Sequence, residues 1–89
     1  MMESKYAQLD EVLAIAGRII ASDDKCRRVL EEKQKMFGSE YKIALDSILL
    51  KPGGREAVIR ALFLGHSEGC EIIVDVDREI VRLVKNYLR

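Results

Sequence analysis

The chain has 89 residues, a length that fits one hydrophobic core and therefore predicts a single domain, residues 1–89. Apolar residues make up 48% and charged residues 34%, which is typical of a folded chain and not of a disordered tail. Fifteen basic residues balance fifteen acidic ones, so a wholly basic nucleic-acid binder and an acidic mimic are disfavoured. No apolar run approaches the roughly 18 residues of a membrane span, and the first residues lack the pattern of a signal peptide. We therefore expect a cytoplasmic protein without a membrane partner.

Residues that favour turns divide the chain into five segments of helical length. These turn signals are residues 22–24, 38–39, 51–54 and 65–69. No Ser/Gly-rich linker or internal repeat interrupts the chain. The sequence accordingly predicts four or five short helices within one domain.

The first two helices are predicted at residues 4–21 and 24–37. In the first, apolar residues recur at three- and four-residue spacing and share one face, with Ile15 at the edge of the apolar arc. In the second, Ser22 or Asp23 can cap the N-terminus and Gly38 can end the helix. Its apolar stripe is narrow and includes Lys33, which is expected to snorkel, with its charged end in water. This pattern predicts a helix at the protein surface.

The third and fourth helices are predicted at residues 40–50 and 55–64. Pro52 separates them because proline disfavours helical geometry at the residue before it. If the third helix packs its main apolar stripe inward, Ile43 and Leu50 face outward together. Leu64 lies off the stripe of the fourth helix. These positions indicate more apolar side chains than one small core can bury.

The last segment, residues 71–88, allows two interpretations. The β-branched Ile72, Ile73 and Val74 are typical of a buried strand over residues 70–76. Over the whole segment, however, apolar and polar residues divide between two faces of a helix, and Leu83 lies within the broad apolar face. The helical interpretation predicts an all-α fold, a compact bundle packed around a long C-terminal helix.

No residue pattern points to catalysis, a cofactor or a bound metal. His66 is the only histidine, and no base–nucleophile motif accompanies it. His66, Cys70 and Cys26 could together supply three metal ligands, but no Cys-x-x-Cys pair is present. The cysteines are expected to be small, buried, reduced thiols. The turn at residues 51–55 precedes a predicted helix, whose free N-terminal amides could attract phosphate. It lacks the spacing of a P-loop, however, and is interpreted as a plain turn between helices.

The leading functional hypothesis is a small non-enzymatic protein–protein interaction module, an adaptor or regulator. Its partner is another protein, or a second copy in a homodimer, held by an apolar helix face. The candidate interface residues are Ile15, Ile43, Leu50 and Leu64. The alternative hypothesis is a helical nucleic-acid-binding protein that uses the basic face of residues 25–35. The candidate contacts for nucleic acid are Lys25, Arg27, Arg28 and Lys35.

Overall fold

The computed structural model describes residues 5–88, with side chains from residue 9 onward. Two helices are followed by four strands: α1 (Lys5–Ser22), α2 (Asp24–Phe37), β1 (Tyr41–Lys51), β2 (Gly54–Phe63), β3 (Glu68–Asp75) and β4 (Ile80–Leu88). The strands form one antiparallel sheet in the order β1-β2-β3-β4. The fold is therefore α+β, and the prediction of an all-α bundle around a long C-terminal helix is wrong.

The structure confirms the two predicted N-terminal helices. The side chain of Asp23 accepts a hydrogen bond from the backbone N–H of Cys26 at 2.8 Å, which satisfies a free amide in the first turn of α2. At the other end Gly38 adopts a left-handed conformation with φ 63°, and its N–H donates to the carbonyl of Gln34. Local capping chemistry thus sets both ends of α2.

The three helices predicted after residue 39 are strands instead. β1 and β2 form a hairpin whose turn contains Pro52 and Gly53, the latter at φ 96°. The strand interpretation of Ile72 to Val74 is correct, because these residues lie in β3. The predicted C-terminal helix is interrupted by a turn after Asp75, where Glu79 has φ 57°, a value that no α-helix contains.

The hydrophobic core lies between the helices and one face of the sheet. α1 contributes Val12, Ala16, Ile19 and Ile20, and the central strands contribute alternate residues. Those strand residues are Ala57, Ile59, Ala61, Phe63, Cys70, Ile72 and Val74. Ala16, Ala57 and Ala61 are fully buried, and their small side chains allow α1 to pack closely on the sheet. No helix within residues 5–88 has the length and apolar character needed to cross a bilayer.

No helix within residues 5–88 covers the opposite face of the sheet, which carries cross-strand ion pairs. Arg60 contacts Asp46 at 2.9 Å and Glu71 at 3.8 Å, and its guanidinium lies 4.3 Å from the ring centroid of Tyr87. Leu83 belongs to this face and is 45% exposed, so its predicted place in the core is wrong. Because charged side chains are well hydrated, this face is stable in contact with water.

Candidate functional site

The four residues predicted for a partner interface differ in exposure. Leu50 is 81% exposed and Leu64 is 87% exposed. Ile15 and Ile43 are half-buried and pack against the core. Ile43 is part of β1, not of a helix, and its neighbour on α1 is Gly17, where an added Cβ would lie 3.1 Å from Ile43 Cδ1. The predicted outward orientation of Ile43 is therefore wrong.

These four residues do not form one surface. Gly17 borders Ile43, whereas Ile15 lies two residues earlier and thus points about 200° away around α1. Leu50 pairs with Arg55 at the turn end of the β1–β2 hairpin. Leu64 follows β2 at the opposite end, and nine residues of extended chain span about 30 Å. The predicted patch divides into separate places, and only Leu50 and Leu64 project freely.

An apolar cleft lies beside Leu64. Its volume is about 610 Å³, and residues 38–42 and 62–64 line it. We call it the Leu64 cleft. Phe63 at its base is fully buried, with its ring edge-on to Phe37 at 5.2 Å and tilted against Tyr41 at 6.1 Å. This arrangement depends on the pairing of Tyr41 with Phe63 across the hairpin, and no local pattern in the sequence indicates that pairing.

The aromatic cluster continues to the only histidine. His66 stacks on Phe37 with ring centroids 4.3 Å apart. Nearby, Lys33 lies in the apolar stripe of α2 as predicted, but it is buried and does not snorkel to water. Its Nζ donates to Glu68 Oε1 at 2.6 Å instead. This ion pair joins α2 to the start of β3. The rings and the ion pair together fix the end of the molecule that carries the Leu64 cleft.

Both cysteines are fully buried free thiols, as their predicted role as small apolar residues requires. Burial, helped by the negative charge of Asp23, raises the pKa of Cys26 to about 12. Burial also raises the pKa of Cys70, although the positive charge of Lys33 opposes this change. A thiol whose pKa is raised in this way is a poor nucleophile at neutral pH. Within residues 5–88, no three His, Cys, Asp or Glu side chains are grouped to hold a metal ion.

The predicted basic residues all lie on the exposed side of α2. Lys25, Arg27, Arg28 and Lys35 are each open to water. Arg27 pairs with Asp24 at 3.1 Å and approaches Glu31 at 3.9 Å. Acidic residues on the same helix thus offset part of its positive charge.

Comparison with known proteins adds no relative. No protein-family model matches the chain, and neither curated proteins nor solved structures give a match.

Proposed function

We propose that the chain is a small non-enzymatic interaction module that binds protein through the Leu64 cleft. The observation that carries the proposal is the position of Leu64, which is 87% exposed at the rim of an apolar cleft. Exposed leucine beside uncovered apolar surface is characteristic of binding sites. The occupant that fits this surface is an apolar side chain of another protein molecule.

A second copy of the chain is the first partner to consider. The surface carries both a projecting side chain and a cleft, so a two-fold contact could place Leu64 of each copy in the cleft of the other. Burying one leucine contributes about 1.5–3 kcal/mol, or about 3–6 kcal/mol for two. A micromolar complex requires about 8 kcal/mol. We therefore expect a weak homodimer, and tighter binding only where a partner also covers Tyr41 and Leu62.

The sheet edges are less suitable for binding a partner. β1 has a bulge between Leu45 and Ser47 and carries Lys42 and Lys51. β4 has its own irregularity at Arg82, which the register skips because Leu83 pairs with Ile73 and Val81 with Val74. Bulges and lysines at edges oppose strand-to-strand association. The cleft therefore remains the better binding surface.

Leu64→Asp tests the proposal, and Leu50→Asp is its matched control. The two leucines have similar exposure and lie at opposite ends of one hairpin. Sedimentation over a series of protein concentrations should show self-association in the wild type and in Leu50→Asp, and its loss in Leu64→Asp. Equal effects of the two changes, or a wild type that stays monomeric at millimolar concentration, would contradict self-association through this cleft.

The proposal also includes a cytoplasmic location and no enzymatic activity. Reducing compartments keep thiols free, which suits the two unpaired cysteines. The raised pKa of both thiols and the stacking of His66 on Phe37 support a role without nucleophilic chemistry.

A further inference from the structure

A second cleft lies at the other end of the sheet, around the β1–β2 turn. Its volume is about 210 Å³, and we call it the Pro52 cleft. Four basic side chains line it, from the end of β1, the start of β2, the β3–β4 turn and β4. They are Lys51, Arg55, Arg78 and Arg82. The sheet topology thus gathers at one point basic residues that are up to 31 positions apart in the chain.

The acidic side chains that line this cleft are more deeply buried than the basic ones. The two carboxylates that line it, Glu56 and Asp75, have side chains only 12% and 14% exposed. The basic side chains are much more open, from 46% for Arg55 to 69% for Arg78. The lining residues therefore carry four positive and two negative charges, with the positive charges nearer to water. Lys51 pairs with Glu56 at 2.7 Å, and Arg55 pairs with the neighbouring Asp77 at 3.1 Å. Arg78 and Arg82 are accordingly the least engaged cations. An approaching ligand meets a cationic surface.

Several donors of this cleft are weakly used by the protein itself. Arg82 Nε is 3.7 Å from Glu56 Oε2, and Arg78 Nε is 4.0 Å from Asp75 Oδ2, both too long for hydrogen bonds. A guanidinium has five N–H donors in a fixed fork that matches the oxygens of phosphate. Arg78 and Arg82 consequently keep donors for a ligand.

Asp77 holds the two turns of this cleft together. It accepts the backbone N–H of Arg55 at 2.6 Å and the guanidinium of Arg55 at 3.1 Å. The approach is close: a Cβ at Gly54, where φ is 155°, would lie 2.8 Å from Asp77 Oδ2. The backbone N–H of Val76 also donates to the carbonyl of Arg55 at 3.1 Å. These contacts fix Arg55 and the backbone of both turns before any ligand arrives, whereas the side chains of Arg78 and Arg82 stay free to adjust.

We propose that the Pro52 cleft binds the phosphoryl groups of a small ligand. The volume is below the roughly 300 Å³ at which typical small-molecule pockets begin, and suits one or two phosphoryl groups, not a whole nucleotide. The arginine forks contact the phosphoryl oxygens, and the turn at Gly53 leaves open space beside them. This site is separate from the Leu64 cleft and does not depend on its function.

Titration with inorganic pyrophosphate, followed by amide chemical shifts, tests this proposal. We expect shifts at Gly53, Gly54 and Arg78, and at least a tenfold weaker affinity in the double variant Arg78→Gln, Arg82→Gln. The matched control, Lys25→Gln with Arg28→Gln, removes two exposed positive charges from α2 and should bind as the wild type does. Thermal melts of both variants establish that each is folded.

Three results would overturn the proposal. The first is a wild type that does not respond to pyrophosphate. The second is an equal loss of affinity in both double variants, which would indicate general attraction of anions to a charged surface. The third is binding of duplex DNA through Arg78 and Arg82 without binding of pyrophosphate, which would assign the cleft to a macromolecule. The variant Leu64→Asp should bind pyrophosphate normally, so failure of either proposal can be distinguished from failure of the other.

Discussion

Replacing Glu68 with glutamine should destabilise the protein more than replacing its partner Lys33 with methionine. The Lys33 side chain is 9% exposed and the Glu68 side chain is 37% exposed, while their charged atoms lie 2.6 Å apart. Loss of the carboxylate leaves a buried ammonium group with a weaker, neutral acceptor. A charge-assisted hydrogen bond and the cost of leaving its partner unsatisfied together predict a loss of about 1–3 kcal/mol for Glu68→Gln.

Lys33→Met should cost less than about 1 kcal/mol. The unbranched methionine can fill the space of the lysine stem, and the half-buried Glu68 carboxylate can reach water. The double variant should then resemble Lys33→Met alone, so the coupling energy in a double-mutant cycle equals the loss caused by Glu68→Gln, about 1–3 kcal/mol. Urea unfolding with a constant m value measures all three differences. The reasoning fails if Lys33→Met is the more harmful change, or if the two effects simply add.

Two further predictions concern the core and the response to acid. Ile59→Ala should lower the free energy of unfolding by about 2–5 kcal/mol because Ile59 is fully buried. Leu83→Ala, on the open face, should lower it by less than about 1 kcal/mol. Equal losses in urea unfolding would contradict the assignment of the two sheet faces. Hydrogen bonds from the side chain and backbone N–H of Arg55 lower the pKa of Asp77 below its ordinary value of 3.8. This carboxylate therefore stabilises the fold above that pH, and the contribution is lost as the pH falls through the lowered pKa. Stability measured between pH 5 and 2 should fall less in Asp77→Asn than in the wild type, and an unchanged slope would show that Asp77 does not contribute.

The N-terminal helices could be predicted because their signals are local. Asp23 and Gly38 act within one helical turn. The burial of Lys33, in contrast, depends on Glu68 from β3 and could not be predicted from the stripe of α2. The strands gave a misleading pattern because apolar residues lie on both sides of them. In β2 the core-facing Ile59 is adjacent to Val58, which is also buried, although it belongs to the open face. Adjacent apolar residues erase the two-residue alternation and resemble the broad face of a helix.

The two clefts lay beyond sequence prediction for a different reason, since each depends on chain pairing. Leu45 pairs with Ile59 and Ser47 pairs with Val58, so the register between β1 and β2 shifts by one residue between them. No local pattern in the sequence predicts that shift. The same hairpin brings Tyr41 to Phe63 at one end and closes the turn beside Pro52 at the other. If these residues were helical, Tyr41 would not pair with Phe63, and Leu50 and Leu64 would be expected on one surface. Pairing in the antiparallel sheet instead places them at opposite ends, where one borders an apolar cleft and the other lies near a cationic one. The function of each end therefore has to be tested separately.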